Sequence, residues 1–157
     1  MKPIKPLRAL LTFLFLAAAF ACLAASQPYD ENADAKADIQ KTLASARAAG
    51  VPVLIVFGAN WCGDCKVLDM AFKNGAAAPL IEKNFRVVKV DVGKFDKNVD
   101  VAASYGVPLK KGIPAVAVLT KQGKVIYATR GGELADARNM GDKGIYDFFA
   151  KVVAQHN

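Results

Sequence analysis

Two cysteines with a short, fixed spacing are the residues of this chain best suited to do chemistry. Cys62 and Cys65 are separated by two residues and follow an apolar run at residues 51–57. A short β-branched run of this kind predicts a strand, so the cysteines fall where a strand gives way to a helix. The first turn of a helix offers unpaired N–H groups and the positive end of the macrodipole, which stabilise a thiolate. The spacing therefore predicts that Cys62 attacks disulfides and that Cys65 resolves the mixed disulfide.

The neighbours of the cysteines complete the segment Trp61-Cys62-Gly63-Asp64-Cys65-Lys66. The negative charge of Asp64 opposes formation of the Cys62 thiolate, which would make the pair a better reductant. In the alternative interpretation, Asp64 only interacts favourably with the first turn of the helix. We expect Trp61 to shield the disulfide, unless it is an ordinary structural aromatic residue. Gly63 and Lys66 are predicted supporting residues of the same segment.

The first 25 residues have the pattern of an export signal. Lys2, Lys5 and Arg8 form a positive start, and an apolar stretch at residues 9–21 ends in small residues. These 13 residues fall short of the roughly 20 that a membrane-spanning helix needs, so we expect cleavage rather than a membrane anchor. Cys22 lies in a weak match to a bacterial lipid-attachment signal, so it is either lipidated, which would hold the protein at a membrane, or without a role.

The sequence predicts a signal peptide at residues 1–25 and one domain at residues 26–157, which is long enough to bury a core. The formal net charge of the whole chain is +7, and the leader supplies three of the positive charges. The lysines are scattered and form no basic stripe with interleaved aromatic residues, which argues against nucleic-acid binding. In an oxidising compartment, two thiols at this spacing indicate a working redox pair rather than a structural staple.

The elements that must position the cysteines alternate between helix and strand, which favours parallel pairing. After a polar, irregular lead-in at residues 26–33, helical spacing is seen at residues 35–49, and Gly50 ends that helix. The later elements are predicted at residues 51–57 (strand), 62–74 (helix), 76–84 (helix), 85–92 (strand), 99–105 (helix), 115–120 and 124–129 (hairpin), and from near Asp142 onward (helix).

This order of elements and four short motifs resemble the thioredoxin superfamily over about residues 35–155. The motifs are Trp61-Cys62-Gly63-Asp64-Cys65-Lys66, Ser104-Tyr105-Gly106-Val107, Gly112-Ile113-Pro114 and Lys121-Gln122-Gly123-Lys124. The resemblance implies an α/β thioredoxin fold, in which helices flank a central mixed β-sheet and a cis-proline loop lies beside the helix that carries the cysteines.

The resemblance also implies a substrate site. In that superfamily the proline that matches Pro114 is cis and faces the cysteine pair, and the residue before it, here Ile113, pairs through its backbone with a substrate strand. A trans proline that starts a strand is the alternative. The redox-active Cys62–Cys65 disulfide is the only cofactor that we expect, and we predict no metal.

The chain departs from the superfamily pattern near the cysteines. Asp64 stands where thioredoxins have proline, and Val56 stands where they have a buried aspartate that helps to deprotonate the resolving cysteine. Lys89 matches the lysine that usually pairs with that aspartate, so it either lowers a thiol pKa alone or points outward as an ordinary strand lysine. Proton transfer for Cys65 is then expected to use water. A longer loop at residues 107–112 either selects partners or is solvated surface.

The sequence and the resemblance together predict an exported, periplasmic thiol-disulfide oxidoreductase of the reductase or isomerase type. Its expected partners are proteins with disulfides and a membrane thiol protein that donates electrons, and we expect a monomer. One alternative is a copper or zinc chaperone, although the only histidine, His156, lies near the chain end. The other alternative is a thioredoxin-like binding module without catalysis.

Overall fold

The structure, a computed structural model, describes residues 27–156. The predicted signal peptide, with Cys22, lies outside the described residues. Within them the chain forms one four-stranded sheet and the helices that flank it. The elements are α1 (Ala35–Ala49), β1 (Val53–Gly58), α2 (Gly63–Asn74), α3 (Ala78–Asn84), β2 (Arg86–Asp91), α4 (Val99–Ser104), β3 (Ala115–Leu119), β4 (Val125–Ala128) and α5 (Ala137–His156).

The sheet is mixed and has the strand order β2-β1-β3-β4. β1 pairs in parallel with β2 and antiparallel with β3, and β3 forms an antiparallel hairpin with β4. Every residue of β1 is buried, as a continuous apolar strand in the centre of a sheet should be. The predicted central strand, parallel crossover and final hairpin are thus confirmed, and together they form the predicted thioredoxin fold.

The two faces of β1 pack against different helices because side chains alternate along a strand. Ile55 and Phe57 belong to the core that includes the buried side of α1. Leu54 and Val56 belong to the core formed with α2, α3 and α5, where Leu68 and Phe149 are also buried. The helix that carries the cysteines is therefore held against the centre of the sheet.

The first helix has the bounds that its pattern predicts. Asp34 caps its start by accepting hydrogen bonds from the backbone N–H groups of Lys36 and Ala37. Gly50 ends it in the left-handed region, with φ 74°, and donates its N–H to the carbonyl oxygens of Ala46 and Arg47. The apolar residues of the predicted face, Ile39 among them, are buried.

The helices α2, α3 and α5 are joined by one carboxylate. α2 ends at Asn74, and the backbone N–H of Ala76, between α2 and α3, donates to both carboxylate oxygens of Asp142, at 3.0 and 2.9 Å. Asp142 follows Gly141, where α5 leaves helical geometry with φ 65° and ψ 175°. The main run of α5 thus begins at the aspartate, as its apolar pattern predicts.

The polar lead-in before α1 is not entirely exposed to solvent. It has no regular helix or strand before α1, as predicted, but Tyr29 within it is only 3% exposed. A single aromatic residue among polar neighbours gives no periodic pattern, so the sequence did not predict that Tyr29 is buried. Within residues 27–156, no helix is both long enough and apolar enough to cross a membrane.

Candidate active site

Cys62 and Cys65 form a disulfide at the start of α2. Cys62 is the N-cap residue, and its Sγ accepts a hydrogen bond of 3.1 Å from the backbone N–H of Cys65. Cys62 is 5% exposed, whereas Cys65 is fully buried. The strand-to-helix junction thus directs one sulfur toward unpaired N–H groups at a helix start, which is the environment that stabilises a thiolate.

The loop before β3 lies against the disulfide. The Ile113–Pro114 peptide bond is cis, as the resemblance implied. The carbonyl oxygen of Ile113 lies 3.5 Å from Cys62 Sγ, which places the backbone of this loop directly beside the outer sulfur. The two chain segments that the resemblance implied would meet, at residues 61–66 and 112–114, are therefore adjacent in space.

Trp61 lies at the surface next to the disulfide. Its side chain is 55% exposed, and its Nε1 donates a hydrogen bond of 2.8 Å to the carbonyl oxygen of Gly93. Its ring makes an edge-to-face contact with Phe95, with centroids 5.9 Å apart. Phe95 is also exposed, so these two rings form an apolar rim beside the cysteines. Trp61 is thus fixed by contacts at both ends while most of its face stays accessible.

Asp64 is buried and paired with an arginine that the sequence did not point to. Its Oδ1 accepts hydrogen bonds from the backbone N–H and the Nε of Arg138, at 2.9 and 3.1 Å, and its Oδ2 lies 3.1 Å from Nη2. Burial alone would raise the pKa of Asp64, but these hydrogen bonds and the charge of Arg138 hold it below its ordinary value. The expectation of an uncompensated negative charge beside Cys62 is therefore incomplete, because the α5 start supplies a cation.

Two further residues of the segment have different environments. Gly63 is exposed, and a methyl group at its position would meet the guanidinium of Arg138 at 3.4 Å. The side chain of Lys66 is exposed, while its backbone N–H donates to the carbonyl oxygen of Cys62 at 3.2 Å. Gly63 thus leaves room for the arginine, and Lys66 contributes to the helix start through its backbone.

Lys89 does not fit either of the two environments expected for it. It neither acts alone on a thiol nor points freely outward, because its ammonium group pairs with Oδ1 of Asp69, whose Oδ2 pairs with Lys73 at 2.9 Å. Burial raises the pKa of Asp69, but the hydrogen bonds and charges of the two lysines outweigh it and lower that pKa. The reason is positional: Lys89 is the register partner of Val56, and α2 supplies the carboxylate that β1 lacks.

The N-terminal segment also contributes to the site, which sequence reasoning missed. The backbone N–H of Tyr29 donates to Asn60 Oδ1 at 3.0 Å, and Asn60 Nδ2 donates back to the Tyr29 carbonyl oxygen at 2.8 Å. The side chain of Tyr29 then reaches Gly58, so that a methyl group on Gly58 would overlap the phenol and lie 2.9 Å from Cys65 Sγ. Asn60 and Gly58, just before the cysteines, were the residues in the sequence that could have indicated this contact.

Among residues 27–156, no group of three or more histidine, cysteine, aspartate or glutamate side chains is arranged to hold a metal ion.

Known proteins share both the sequence and the fold of this chain. A solved structure of a disulphide isomerase from Xylella fastidiosa Temecula1 is 54% identical, with a TM-score of 0.78, over 81% of this chain and 97% of that one. Thioredoxin from Bacillus subtilis (strain 168) is 34% identical over 94 residues, 55% of this chain and 75% of that protein. Thioredoxin 1 from Chlorobaculum tepidum is 36% identical over 85 residues, 54% of this chain and 75% of that protein.

A family model described as thioredoxin-like matches residues 34–121, which include the first helix, the cysteine pair and the cis-proline loop. With its mixed sheet and a disulfide-bonded Cys-x-x-Cys pair at the start of α2, the chain belongs to the thioredoxin-like family.

Proposed function

We propose that this protein is an exported thiol-disulfide oxidoreductase that reduces or isomerises disulfide bonds in other proteins. The observation that supports this most is the position of the Cys62–Cys65 disulfide, which lies at a helix start beside the backbone of a cis-proline loop. A pair in this position has one sulfur near the surface and one behind it, which is the arrangement that disulfide exchange requires.

The proposed reaction has two steps that balance in electrons and protons. The Cys62 thiolate attacks one sulfur of a substrate disulfide, and the other substrate sulfur leaves as a thiolate that takes up a proton. Cys65 then loses its proton and attacks Cys62 Sγ, which breaks the mixed disulfide and releases the second substrate thiolate. The substrate gains two electrons, and the protein is left with its internal disulfide. Ile113 and Pro114 would align the substrate strand through the backbone beside Cys62.

Several features support the finer parts of this proposal. The name of the Xylella structure, disulphide isomerase, favours an isomerase or reductase over a primary oxidant. The pattern of residues 1–25 favours export to the periplasm, where a membrane thiol protein would re-reduce the pair. The reaction uses the protein's own sulfurs, and we propose that a monomer carries it out without a metal.

Reduction of insulin disulfides tests the activity. We expect wild-type protein with dithiothreitol to accelerate insulin precipitation, Cys62→Ser to abolish the acceleration, and Cys65→Ser to trap protein–insulin mixed disulfides. Tyr146→Phe, a change on the exposed side of α5, is the matched control and should behave as wild type. If Cys62→Ser kept the wild-type rate, the proposal would be wrong.

Refolding of scrambled ribonuclease separates the isomerase from the reductase. An isomerase restores ribonuclease activity with catalytic amounts of reduced protein, whereas a pure reductase only depletes the scrambled disulfides. An equilibrium titration with glutathione gives the reduction potential of the pair, and a value near that of DsbA, about −120 mV, would instead indicate an oxidant.

A further inference from the structure

A cleft lies between the loop that follows β2 and the loop at residues 107–112. It is lined by Phe95, Val99, Leu109, Lys110 and Gly112, and its volume is about 400 Å³. That volume lies within the range of roughly 300–1,000 Å³ that is typical of ligand pockets in proteins. The cleft therefore has room for a large side chain of a bound protein.

The cleft is continuous with the site at which the substrate disulfide is proposed to react. Gly112 lines the cleft and directly precedes Ile113, whose carbonyl oxygen lies 3.5 Å from Cys62 Sγ. On the other side, the ring of Phe95 contacts the ring of Trp61, the residue before Cys62. A substrate strand that pairs with the backbone of Ile113 would thus pass the cleft.

The surface along the cleft is apolar. The side chains of Trp61, Phe95 and Val99 are 55%, 43% and 43% exposed. Scattered exposed apolar residues are ordinary in proteins, but Phe95 contacts Trp61 and lines the cleft together with Val99, so these three are contiguous. Contiguous exposed apolar patches mark interaction sites, and this one favours a partner that brings an apolar side chain.

The backbone holds Phe95 in its exposed position at a conformational cost. Its φ is 66°, in the left-handed region that a bulky residue rarely adopts. Such outliers cluster at binding and catalytic sites, where the surrounding structure keeps them in place. Here the edge-to-face contact with Trp61 fixes the ring. An exposed aromatic residue in a strained conformation is a second, independent indication of a binding site.

The opposite wall of the cleft is held firmly by its neighbours. Gly112 has φ 111°, and a methyl group at its position would lie 2.6 Å from the Cβ of Ala135, so the loop packs tightly on the segment after β4. Leu109 is buried, and its carbonyl oxygen accepts a hydrogen bond of 3.0 Å from the N–H of Gly112. A wall that is already ordered loses little conformational entropy when a ligand binds.

Positive charge borders the cleft. Lys110 lines it, and Lys111 and Lys94 are the neighbours in sequence of two other lining positions. All three lysines are exposed, and among residues 27–156 none of them forms an ion pair with a carboxylate. Asp96, on the same loop as Phe95, accepts the backbone N–H of Lys94 at 2.8 Å. The unpaired ammonium groups favour an acidic residue in the partner.

We propose that this cleft selects substrates by binding a large apolar side chain two positions from the substrate cysteine, with an acidic residue beside it. The inference rests on the proposed function and names its substrate class. Side chains two positions apart on a strand lie on the same face, so a cysteine directed at Cys62 directs that second side chain toward this protein as well. The occupant is an extended segment of a substrate protein, and the loop at residues 107–112 then selects partners, which is one of the two roles expected for it.

Activated peptides test the selection. Each peptide carries one cysteine as a mixed disulfide with thionitrobenzoate, so attack by Cys62 bonds the protein to the peptide sulfur and releases a coloured thiolate. Phenylalanine is placed two positions before or two positions after the cysteine, and alanine replaces it in the reference peptide. With reduced wild-type protein, we expect one of the two placements to raise the second-order rate constant about tenfold over alanine. Aspartate beside the phenylalanine should react about threefold faster than lysine there.

Two variants connect these preferences to the cleft. Phe95→Asn removes the ring but keeps a residue that tolerates the left-handed conformation, and we expect it to lower the phenylalanine-to-alanine ratio to about twofold or less. Lys110→Glu should reverse the preference for aspartate over lysine. Tyr146→Asn, on α5, and Lys124→Glu, beyond the far end of β3, change exposed residues of the same types and should keep the wild-type ratios. A general loss of folded protein would lower both rates and leave each ratio unchanged.

The outcomes keep the two proposals apart. If wild type reacts equally with all peptides, or if Phe95→Asn keeps the tenfold preference, the cleft does not select substrates and the oxidoreductase proposal stands. If wild type reacts with the peptides no faster than glutathione does, the oxidoreductase proposal itself is wrong. Analytical ultracentrifugation gives the last outcome: a wild-type dimer that Phe95→Asn dissociates would show that the cleft binds a second copy of this chain, and would overturn the inference.

Discussion

The charge next to the reactive sulfur is set by two residues rather than one. Asp64 lies within the Cys-x-x-Cys motif, and Arg138 comes from the start of α5 and holds both of its carboxylate oxygens. The carboxylate destabilises a Cys62 thiolate and the guanidinium stabilises it, so the two effects partly cancel. The potential of the pair therefore depends on the docking of α5 as well as on the motif.

Removing the arginine should make the couple more reducing. In Arg138→Met the buried carboxylate of Asp64 loses its cation, so the thiolate becomes less favourable, and we expect the potential to fall by about 10 to 40 mV. Asp64→Asn and Asp64→His should shift the potential in the opposite direction. Equilibration with glutathione measures both shifts, and an unchanged potential in Arg138→Met would show that the ion pair does not act on the sulfur.

Asp91, the last residue of β2, is 5% exposed, and among the described residues its Oδ1 has no hydrogen-bond partner. We therefore expect Asp91 to lower the free energy of unfolding at neutral pH. A carboxyl group whose pKa is raised by folding binds its proton more tightly in the folded state, so its ionised form destabilises that state. We expect Asp91→Asn to raise the free energy of unfolding at pH 7 by about 1 kcal/mol, the scale of one unpartnered buried polar group. The difference should shrink at pH 3, where the aspartate is protonated in both states. Urea unfolding of the oxidised proteins at the two pH values measures this, and a loss of stability at pH 7 would contradict it.

The residues that could be predicted from sequence are those whose chemistry is local. Cys62 and Cys65 are recognisable because their spacing within one helical turn is visible in the chain. The partners of Lys89 and Asp64 were not predictable, because Asp69 and Arg138 reach them through the packing of helices on the sheet. Long-range ion pairs leave no periodic signal in a single sequence.

At the scale of elements, the end of β1 is a crowded junction. The phenol of Tyr29 and the sulfur of Cys65 both occupy the space next to Gly58, while Asn60 holds the backbone of Tyr29 in place. The junction between β1 and α2 is thus covered by a segment that lies about thirty positions earlier in the chain. This explains why a residue without any side chain ends the central strand.

Gly58→Ala should be strongly destabilising. The added methyl group would overlap a buried ring and approach a sulfur, and such overpacking costs about 1–3 kcal/mol. Gly131→Ala is the matched control, because a methyl group there meets nothing closer than 3.8 Å. Chemical denaturation of both variants in the oxidised state gives the comparison, and equal stabilities would contradict the packing described here.

Asn60→Ala should loosen the same junction. The change removes the acceptor for the Tyr29 N–H and the donor for its carbonyl oxygen, and two lost buried hydrogen bonds correspond to about 1–3 kcal/mol. Asn84→Ala, which removes one half-buried hydrogen bond to the Leu80 carbonyl oxygen, is the control and should cost less. Denaturation midpoints test the order, and amide hydrogen exchange should show the lead-in opening first in Asn60→Ala.

Elements were predictable where an amphipathic pattern and an end signal coincide. α1 has its predicted bounds because Asp34 and Gly50 flank a clear apolar face. The irregular segments were not predictable, since the burial of Tyr29 depends on a single aromatic residue and two hydrogen bonds rather than on periodicity. The bend at Gly141 was predictable only in part, because a glycine before Asp142 indicates a break in the helix without giving the direction of the bend.

For the whole molecule, the redox state and the stability of the fold are linked. If the folded protein holds its disulfide at a more negative potential than the unfolded chain does, the oxidised form must be the more stable one, by about 1.4 kcal/mol for every 30 mV. A reductase therefore predicts that the oxidised protein unfolds at a higher urea concentration than the reduced protein. Paired unfolding curves with and without dithiothreitol test this. The reverse order would indicate an isomerase or an oxidant.

The placement of Trp61 gives the molecule an intrinsic optical reporter. It is the only tryptophan of the chain, it directly precedes Cys62, and just over half of its side chain is exposed. A nearby disulfide quenches indole emission by electron transfer, and two separated thiols quench it much less. Emission should therefore brighten when the pair is reduced, and its wavelength should shift when a bound peptide covers the ring, so that turnover can be followed without any dye.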